Sequence, residues 1–399
     1  MRLKTILLSL ATICLLSLNL NAQGNDKPKE DGFKFQVVKE LPITSIKNQN
    51  RSSTCWSFSG ISFLESEALR KGYKGDLDLS EMFIVSNAYV DKAEKTVRLS
   101  GSLNFAPGSS FGDVVEVIKR YGIVPDSEMP GLNYGEDMHV HNELDAVTKA
   151  YVDAVVRARG KKTTAWKSGF QGIVDAYLGK VPDKFKVNGK DYTAKSYAES
   201  LGLNMDDYVS ITSFTHHPFY SQFVIEVPDN WRWDISHNVP LDEMIQIIDN
   251  AINNGYTLAW ASDVSERGWT RNGVAFVPVD INIEDMSGSD QARWLGLTPA
   301  QRDAEALNKP GKEKVITQEL RQMEYDNQLT TDDHGMHIFG IAKDQNGTKY
   351  YMVKNSWGTA NPYNGIWYVS EAFVKYKTLN IMLHKDAIPS NIKQKLNIK

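Results

Sequence analysis

The sequence predicts an α+β protein with two lobes, because helical patterns dominate its first half and strand patterns its last quarter. Apolar residues recur at helical spacing over 55–70, whereas short apolar runs after residue 338 flank an Asn-Gly hairpin signal. The 399 residues, 41% of them hydrophobic, can build a large core and exclude a disordered or fibrous chain. A formal net charge of −4 argues against a dedicated nucleic-acid binder, so no nucleic-acid partner is expected.

Three helices are predicted from apolar spacing and from residues that favour helix ends. The first spans 55–70, where Ser53 or Thr54 can cap the start. The second spans 111–120 and stops before a glycine, and the third spans 241–253 with isoleucines along one face.

Strands are predicted mainly in the C-terminal part, where runs rich in β-branched and aromatic residues lie between turn signals. The predicted strands span 257–261, 338–343, 348–353, 366–369 and 379–383. The change from helices to strands suggests that a cleft lies between two lobes. The stretch from 131 to 299 contains no clear chemical motif.

The N-terminus has the pattern of a secretory signal peptide over residues 1–22. Arg2 and Lys4 precede an apolar run of 14 residues at 5–18, and Ala22 offers a small residue at the cleavage site. A membrane helix needs roughly 20 apolar residues, so an uncleaved anchor is the weaker alternative. We therefore expect export to the periplasm or the cell exterior, with no stable membrane span, and a polar linker at 23–40.

The two cysteines have different expected fates. Cys14 lies inside the signal peptide, which leaves Cys55 as the single thiol of the exported protein. A lone exported cysteine can pair between molecules, react as a thiol or pack in the core. Cys55 stands in the first turn of the first predicted helix, where the partial positive charge of the helix end favours a thiolate. This position predicts a cysteine nucleophile.

A cysteine nucleophile needs a proton acceptor, and histidine is the usual one. Among the eight histidines, His334 stands in an Asp-His-Gly motif, and Asn355 follows a predicted strand in Asn-Ser-Trp-Gly. An amide such as that of Asn355 can orient an imidazole ring, and Trp357 could shield the hydrogen bond between them. His337 is expected to be a core residue.

Two histidine pairs offer an alternative use as metal ligands. His139 and His141 form an H-x-H pair, and His216 and His217 are adjacent. Neither pair has cysteines or carboxylates beside it at ligand spacing, so no metal site is predicted. We expect no organic cofactor either.

Three motifs together resemble those of papain-like cysteine peptidases: Gln-x5-Cys-Trp, Asp-His-Gly-x4-Gly and Lys-Asn-Ser-Trp-Gly, in this order. The resemblance implies a two-lobed papain-like fold, with a helical lobe, a β-barrel-like lobe and the active site in the cleft between them. It also implies peptide substrates. On the matching positions it assigns Cys55 as nucleophile, His334 as base, Asn355 as the residue that orients the base, and Gln49 as an oxyanion-hole donor.

The spacing of the motifs resembles one branch of that family. His334 follows Cys55 by 279 residues, whereas roughly 130–150 residues separate them in papain and cathepsins. In this longer separation the chain resembles the bleomycin hydrolase and aminopeptidase C branch. The resemblance implies a peptidase domain at 41–399 with an insertion at about 131–300. That branch implies an aminopeptidase and a homo-oligomer, a hexamer enclosing a chamber.

Two departures from this branch leave the specificity open. The family binds substrate along the backbone of a Gly-Gly pair, but here only Gly108 is kept and Ser109 follows it. Gly108, Ser109 and Trp357 are therefore the candidate substrate-binding residues. The branch also holds the substrate's amino group with the carboxylate of a C-terminal arm, and residues 393–399 have no recognisable match to that arm. An aminopeptidase is expected, with an endopeptidase or a catalytically silent peptide-binding protein as alternatives.

Overall fold

A computed structural model describes residues 32–399, so the predicted signal peptide at 1–22 and residues 23–31 of the predicted linker lie outside the described residues. In the described part, no helix combines the length and the apolar character that crossing a membrane requires.

The described residues form twelve α-helices. Their bounds are α1 Cys55–Arg70, α2 Glu81–Arg98, α3 Phe111–Tyr121, α4 Asn142–Arg157, α5 Ala165–Leu178, α6 Ala194–Ser200, α7 Leu241–Asn253, α8 Gly288–Gly296, α9 Pro299–Leu307, α10 Gln318–Asp326, α11 Glu371–Lys377 and α12 Ser390–Lys395. The predicted bounds of α1 and α7 are confirmed, and α3 extends one residue beyond its predicted end.

The same residues form twelve strands. Their bounds are β1 Phe35–Glu40, β2 Phe185–Val187, β3 Lys190–Tyr192, β4 Tyr208–Thr212, β5 Gln222–Val224, β6 Ile235–Asn238, β7 Leu258–Ser262, β8 Val274–Ala275, β9 His334–Asp344, β10 Lys349–Lys354, β11 Ile366–Ser370 and β12 Thr378–His384.

One large sheet holds ten of these strands, in the order β5-β6-β4-β12-β7-β9-β10-β11-β8, with β1 paired to β9. A tight turn joins the antiparallel strands β9 and β10, and Gly347 in it has a φ of +84°, as the Asn-Gly signal predicts. Lys354 at the end of β10 pairs with His337 of β9. Asn355 therefore follows at the end of the sheet where β9 begins, which is the end that carries His334.

Two large hydrophobic cores lie on different parts of this framework. The first joins α1 to α6, and the second lies between one face of the sheet and the helices α7, α11 and α12. The sequence predicted this separation into a helical part and a strand-rich part, since helices come early in the chain and strands late.

α1 is the central helix of the first core. All residues from 56 to 68 are buried, so the helix is covered on every side. Its first turns pack against the start of β9, where a Cβ on Gly335 would lie 2.8 Å from the Oγ of Ser59. Because a side chain at 335 would push α1 away from β9, this glycine allows Cys55 and His334 to approach each other.

Residues 131–300 contribute to both parts of the protein. α4 and α5 pack with α2 in the helical core, while β4, β5 and β6 extend the sheet beyond β12. β7, from the same range, lies in the middle of the sheet. Phe33–Lys399 forms a single unit by its internal contacts, so this range does not make a separate domain.

Two sequence predictions differ from the observed fold. Residues 35–40 of the predicted linker form β1, which pairs with β9, and Phe35 stacks on Tyr368 with ring centroids 3.9 Å apart. β1 forms by pairing with a strand about 300 residues later in the chain, so no local pattern predicts it. At α1, Thr54 is the N-cap residue, but its hydroxyl bonds to Ser52 Oγ at 2.5 Å and does not cap the helix.

Candidate active site

A cleft of about 900 Å³ contains most of the predicted site residues. Its walls include Gln49, Cys55, His334 and Trp357, together with the loop before α3 and parts of β4, β6 and β12. Four residues that the sequence placed in three separate motifs thus face one space. Asn355 lies directly behind this wall, in contact with His334.

Cys55 is the first residue of α1 and is a free thiol. Burial raises the pKa of Cys55 to about 12, because a thiolate loses hydration in the cleft wall. Backbone N–H groups of Gly335 and Trp56 act in the opposite direction, while the carboxylates of Asp332 and Asp229 raise the pKa of Cys55 further. The helix N-terminus is therefore outweighed by burial and by nearby negative charge.

The ring of His334 is fixed from two sides. Its Nε2 lies 2.8 Å from Oδ1 of Asn355, and its ring stacks on Trp357 with centroids 4.6 Å apart. Oδ1 of Asn355 also accepts the backbone N–H of Ser356 at 2.7 Å, so it acts as an acceptor and His334 carries its proton on Nε2. The other ring nitrogen, Nδ1, is left to accept a proton from substrate or nucleophile.

Burial lowers the pKa of His334 to about 4, and the hydrogen bond to Asn355 opposes this shift. Together with the raised pKa of Cys55, this favours the neutral forms of both groups. The thiolate at the helix N-terminus stays a prediction of the sequence. Proton transfer from Cys55 to His334 would therefore accompany attack on a substrate.

Gln49 is held in place by the motif that contains Asn355. The hydroxyl of Ser356 donates to Oε1 of Gln49 at 2.6 Å, and the backbone N–H of Gln49 donates to the carbonyl of Ser356 at 2.8 Å. Since Oε1 is engaged, the amide presents Nε2 at the cleft wall, where it has no partner in the described part of the chain. This is the donor that an oxyanion hole requires.

Gly108 and Ser109 also line the cleft, as predicted, but their roles differ. A Cβ on Gly108 would lie 1.8 Å from Oδ2 of Asp229, so only glycine fits beside that carboxylate. The side chain of Ser109 is buried in a hydrogen-bonded network, donating to Asp113 at 2.7 Å and accepting from Trp231 at 2.6 Å. The serine that replaces the second glycine therefore turns its hydroxyl into the protein.

Sequence reasoning missed the acidic character of the cleft. Asp229 and Asp332 both line it. Burial raises the pKa of Asp332 to about 8, and the charge of Asp229 adds to this shift. Asp332 could have been noticed, because it stands two residues before His334 in the same motif. Asp229 carries no local signal, since its position at Gly108 depends on the fold.

His337 is a core residue, as predicted. It is completely buried, and its Nδ1 lies 2.9 Å from the hydroxyl of Ser62. His139 and His141 are also withdrawn from water, and burial lowers the pKa of each to about 4. The backbone around them pairs with Arg51, so this pair supports the loop that precedes Cys55.

His216 and His217, with Glu226, form the one group in the described part of the chain whose ligand atoms could hold a metal ion. Nε2 of His216 lies 3.1 Å from Glu226 Oε2. The amide of Gln322 is oriented by other partners, so that its Nε2 faces Nδ1 of His216 at 3.1 Å. This puts the proton of His216 on Nε2, facing the carboxylate, whereas a metal there requires a bare nitrogen.

Comparisons with known proteins show what this chain is similar to. Residues 313–399, which include His334 and Asn355, match the Peptidase C1-like family. Aminopeptidase E of Lactobacillus helveticus is 21% identical to this chain over 94% of its length and 88% of the relative's. Aminopeptidase C of Listeria monocytogenes is 21% identical over 90% of this chain and 84% of the relative.

A solved structure supports the fold. The crystal structure of pepw from Lactobacillus rhamnosis HN001 (DR20) superimposes with a TM-score of 0.67 at 17% identity, over 91% of this chain and 84% of that one. These findings confirm the predicted α+β fold and the predicted enzyme class. The chain is thus similar to aminopeptidases C and E over most of its length, matches the Peptidase C1-like family over residues 313–399, and shares the fold of pepw.

Proposed function

We propose that this chain is an exported cysteine peptidase that hydrolyses peptide bonds with Cys55, His334 and Asn355, and that it acts as an aminopeptidase. The observation that carries the proposal is the bond of 2.8 Å between His334 and Asn355 behind a cleft that also presents Cys55 and Gln49. The relatives named aminopeptidase C and E support cleavage from the amino-terminal end of a peptide.

The mechanism follows from the hydrogen bonds of the site. Cys55 passes its proton to Nδ1 of His334 as its sulfur attacks the peptide carbonyl carbon. The resulting oxyanion is bound by Nε2 of Gln49 and the backbone N–H of Cys55. His334 then gives its proton to the leaving amine, which leaves a thioester. Water attacks the thioester while His334 takes its proton, and the thiol is released with the acid product.

Asn355 keeps the His334 ring in one tautomer and one orientation throughout this cycle. Trp357 covers one face of the ring, although it remains 40% exposed itself. This cover keeps the hydrogen bond between the two residues away from water, where it would be weaker.

Hydrolysis of aminoacyl-coumarin amides by the full chain tests the proposal. We expect the unmodified chain to release coumarin and Cys55→Ala to release none. Circular dichroism should show that this variant is still folded. Cys55→Ser is the matched control, because it keeps the size and polarity of the side chain but lacks a comparable nucleophile. Full activity of Cys55→Ala would refute the mechanism.

Export rests on residues 1–22, whose pattern is that of a signal peptide. N-terminal sequencing of the protein recovered from a secreting host should begin at Gln23. Recovery of the intact N-terminus in the cytoplasm would contradict the proposal. The expected hexamer is tested separately by light scattering of the same material.

An endopeptidase on this scaffold is the second candidate, favoured by the location of the C-terminal segment. Residues 385–399 do not line the cleft; instead α12 packs in the core with α7, and Lys395 pairs with Glu243 of α7 at 2.6 Å. This segment therefore leaves the cleft open to an extended peptide. Cleavage of an N-blocked peptide amide, with no cleavage of the free aminoacyl amide, would favour this candidate.

A further inference from the structure

The cleft is lined by far more negative than positive side chains. Six carboxylates face it against one ammonium group, that of Lys119. The carboxylates belong to Glu116, Asp206, Asp229, Asp234, Asp332 and Asp333. A substrate that carries a positive charge would therefore be attracted to this space.

Most of these carboxylates already have partners. Asp206 pairs with Lys119 at 2.5 Å, and Asp234 accepts the hydroxyl of Ser110 at 3.0 Å. Asp333 accepts the backbone N–H of Val264 at 2.9 Å. Glu116, at the rim, has Arg120 of the same helix at 3.9 Å.

Asp332 is the exception. It stands two residues before His334 and lines the cleft, and within residues 32–399 its carboxylate has neither a hydrogen bond nor an ion pair. Burial is the first cause that raises its pKa to about 8, with the charges of Asp229 and Asp333 adding to it. The side chain of Asp332 is half-buried and has no donor in the described part of the chain, so an incoming cation would stabilise its charged form.

Asp229 offers a second carboxylate at the same place. Its Oδ2 lies against Gly108, and within residues 32–399 its carboxylate accepts a single, long hydrogen bond, from Asn104 Nδ2 at 3.5 Å. Lys92 is the nearest cation that influences it, but the ammonium of Lys92 is bound to the carbonyls of Ala106 and Gly108. Asp229 is thus able to take a further donor from a ligand.

We propose that Asp332 and Asp229 bind the protonated α-amino group of a substrate's first residue, and so make this cleft selective for free N-termini. The inference rests on the proposed function, and it assigns to two side chains the role that the family resemblance gives to a terminal carboxylate. The segment 385–399 packs against α7 and contributes nothing to the cleft wall.

The position of the two carboxylates favours an α-amino group over a side-chain amine. The α-nitrogen is two bonds, about 2.5 Å, from the carbonyl carbon that the sulfur attacks. The amine of a lysine side chain lies several bonds further away. Both carboxylates are near enough to the sulfur to raise the pKa of Cys55, so a cation between them would sit close to the reacting atoms.

Kinetics with paired substrates test the inference. Leucyl-coumarin amide and its N-acetyl form are compared for the full chain, for Asp332→Asn, for Asp229→Asn and for the double variant. Losing one charge-assisted hydrogen bond should lower kcat/KM for the free substrate about 10- to 150-fold, mainly through KM. The value for the acetylated substrate should change little. Asp206→Asn is the matched control, since it removes a cleft charge that is already paired with Lys119.

A ratio of free to acetylated kcat/KM that stays unchanged in the double variant would overturn the inference. The inference would also be overturned if the double variant selectively lost activity on N-blocked dipeptide amides with arginine at the second position, because Asp332 and Asp229 would then bind a side chain.

Calorimetry on Cys55→Ala separates this inference from the proposed function. Leucinamide should bind this variant and N-acetyl-leucinamide should not, and Asp332→Asn should abolish the difference. If the intact chain hydrolyses nothing but this binding pattern is found, the proposed function fails and the amine site stands. Equal binding of the two amides would overturn the amine site alone.

Discussion

Replacing Asn355 by alanine should slow catalysis through the orientation of His334. The side chain of Asn355 accepts two donors, His334 Nε2 at 2.8 Å and the backbone N–H of Ser356 at 2.7 Å. His334 is 4% exposed and Asn355 is 2% exposed, so water cannot replace the lost acceptor fully. The variant leaves a buried N–H on a ring that is free to rotate.

The size of the effect follows from the change of charge on His334 during the reaction. Its bond to Asn355 is between neutral groups at rest but becomes charge-assisted once the ring accepts the proton of Cys55. A charge-assisted hydrogen bond contributes about 1.5–3 kcal/mol, which corresponds to roughly 10- to 150-fold in kcat/KM. The orphaned donors should in addition lower the free energy of unfolding by about 1–3 kcal/mol.

The assay is kcat/KM for a fluorogenic aminoacyl amide, normalised to active sites titrated by alkylation of Cys55. Asn250→Ala is the control, because Asn250 likewise makes a side-chain hydrogen bond of 2.8 Å, here as the donor to the carbonyl of Ala387, but it lies in the contact between α7 and the C-terminal segment. That variant should lose stability without losing kcat/KM. If folded Asn355→Ala keeps kcat/KM within about twofold of the parent, a change below about 0.5 kcal/mol, the orienting role is wrong.

Three further predictions use other residues of the same region. Gln49→Ala should lower kcat by about 100- to 1,000-fold as an oxyanion donor is lost; a drop confined to KM would argue that Gln49 only binds substrate. Burial raises the pKa of Glu65 from 4.5 to about 7, so the folded state binds this proton more tightly than the unfolded state does. Glu65 therefore destabilises the fold increasingly as the pH rises from 4.5 to 7. Glu65→Gln should therefore gain stability relative to the parent between pH 4.5 and 7 in urea unfolding, and a pH-independent difference would contradict the shift. Ser109→Gly leaves Trp231 Nε1 without its acceptor and should cost about 1–3 kcal/mol of unfolding free energy; an unchanged urea midpoint would mean that the network is not structural.

The local sequence was sufficient for several elements. The bounds of α1 and α7, the Asn-Gly turn before β10 and the strand that ends just before Asn355 all follow from spacing and end signals. These features depend on residues within one or two turns of each other, so periodicity and turn chemistry predict them. β9, by contrast, begins four residues earlier than predicted, because pairing of its first residues with β7 extends it to His334.

For the candidate site, the sequence by itself predicted which residues would carry the chemistry. Cys55, His334, Asn355 and Gln49 were identified from motifs, and the fold brings them to one cleft or its immediate wall. Their protonation could not be predicted from those motifs, because the pKa of a buried thiol depends on how much water and charge surround it.

Only the tertiary structure decided what else faces that cleft. Asp229 reaches Gly108 from 121 positions along the chain, and Ser356 fixes Gln49 from 307 positions away. Both contacts join loop residues that are far apart in the chain, so no local pattern predicts them. The sequence therefore predicted the class of enzyme, whereas the fold decided which charges surround the candidate catalytic residues, because those charges come from distant parts of the chain.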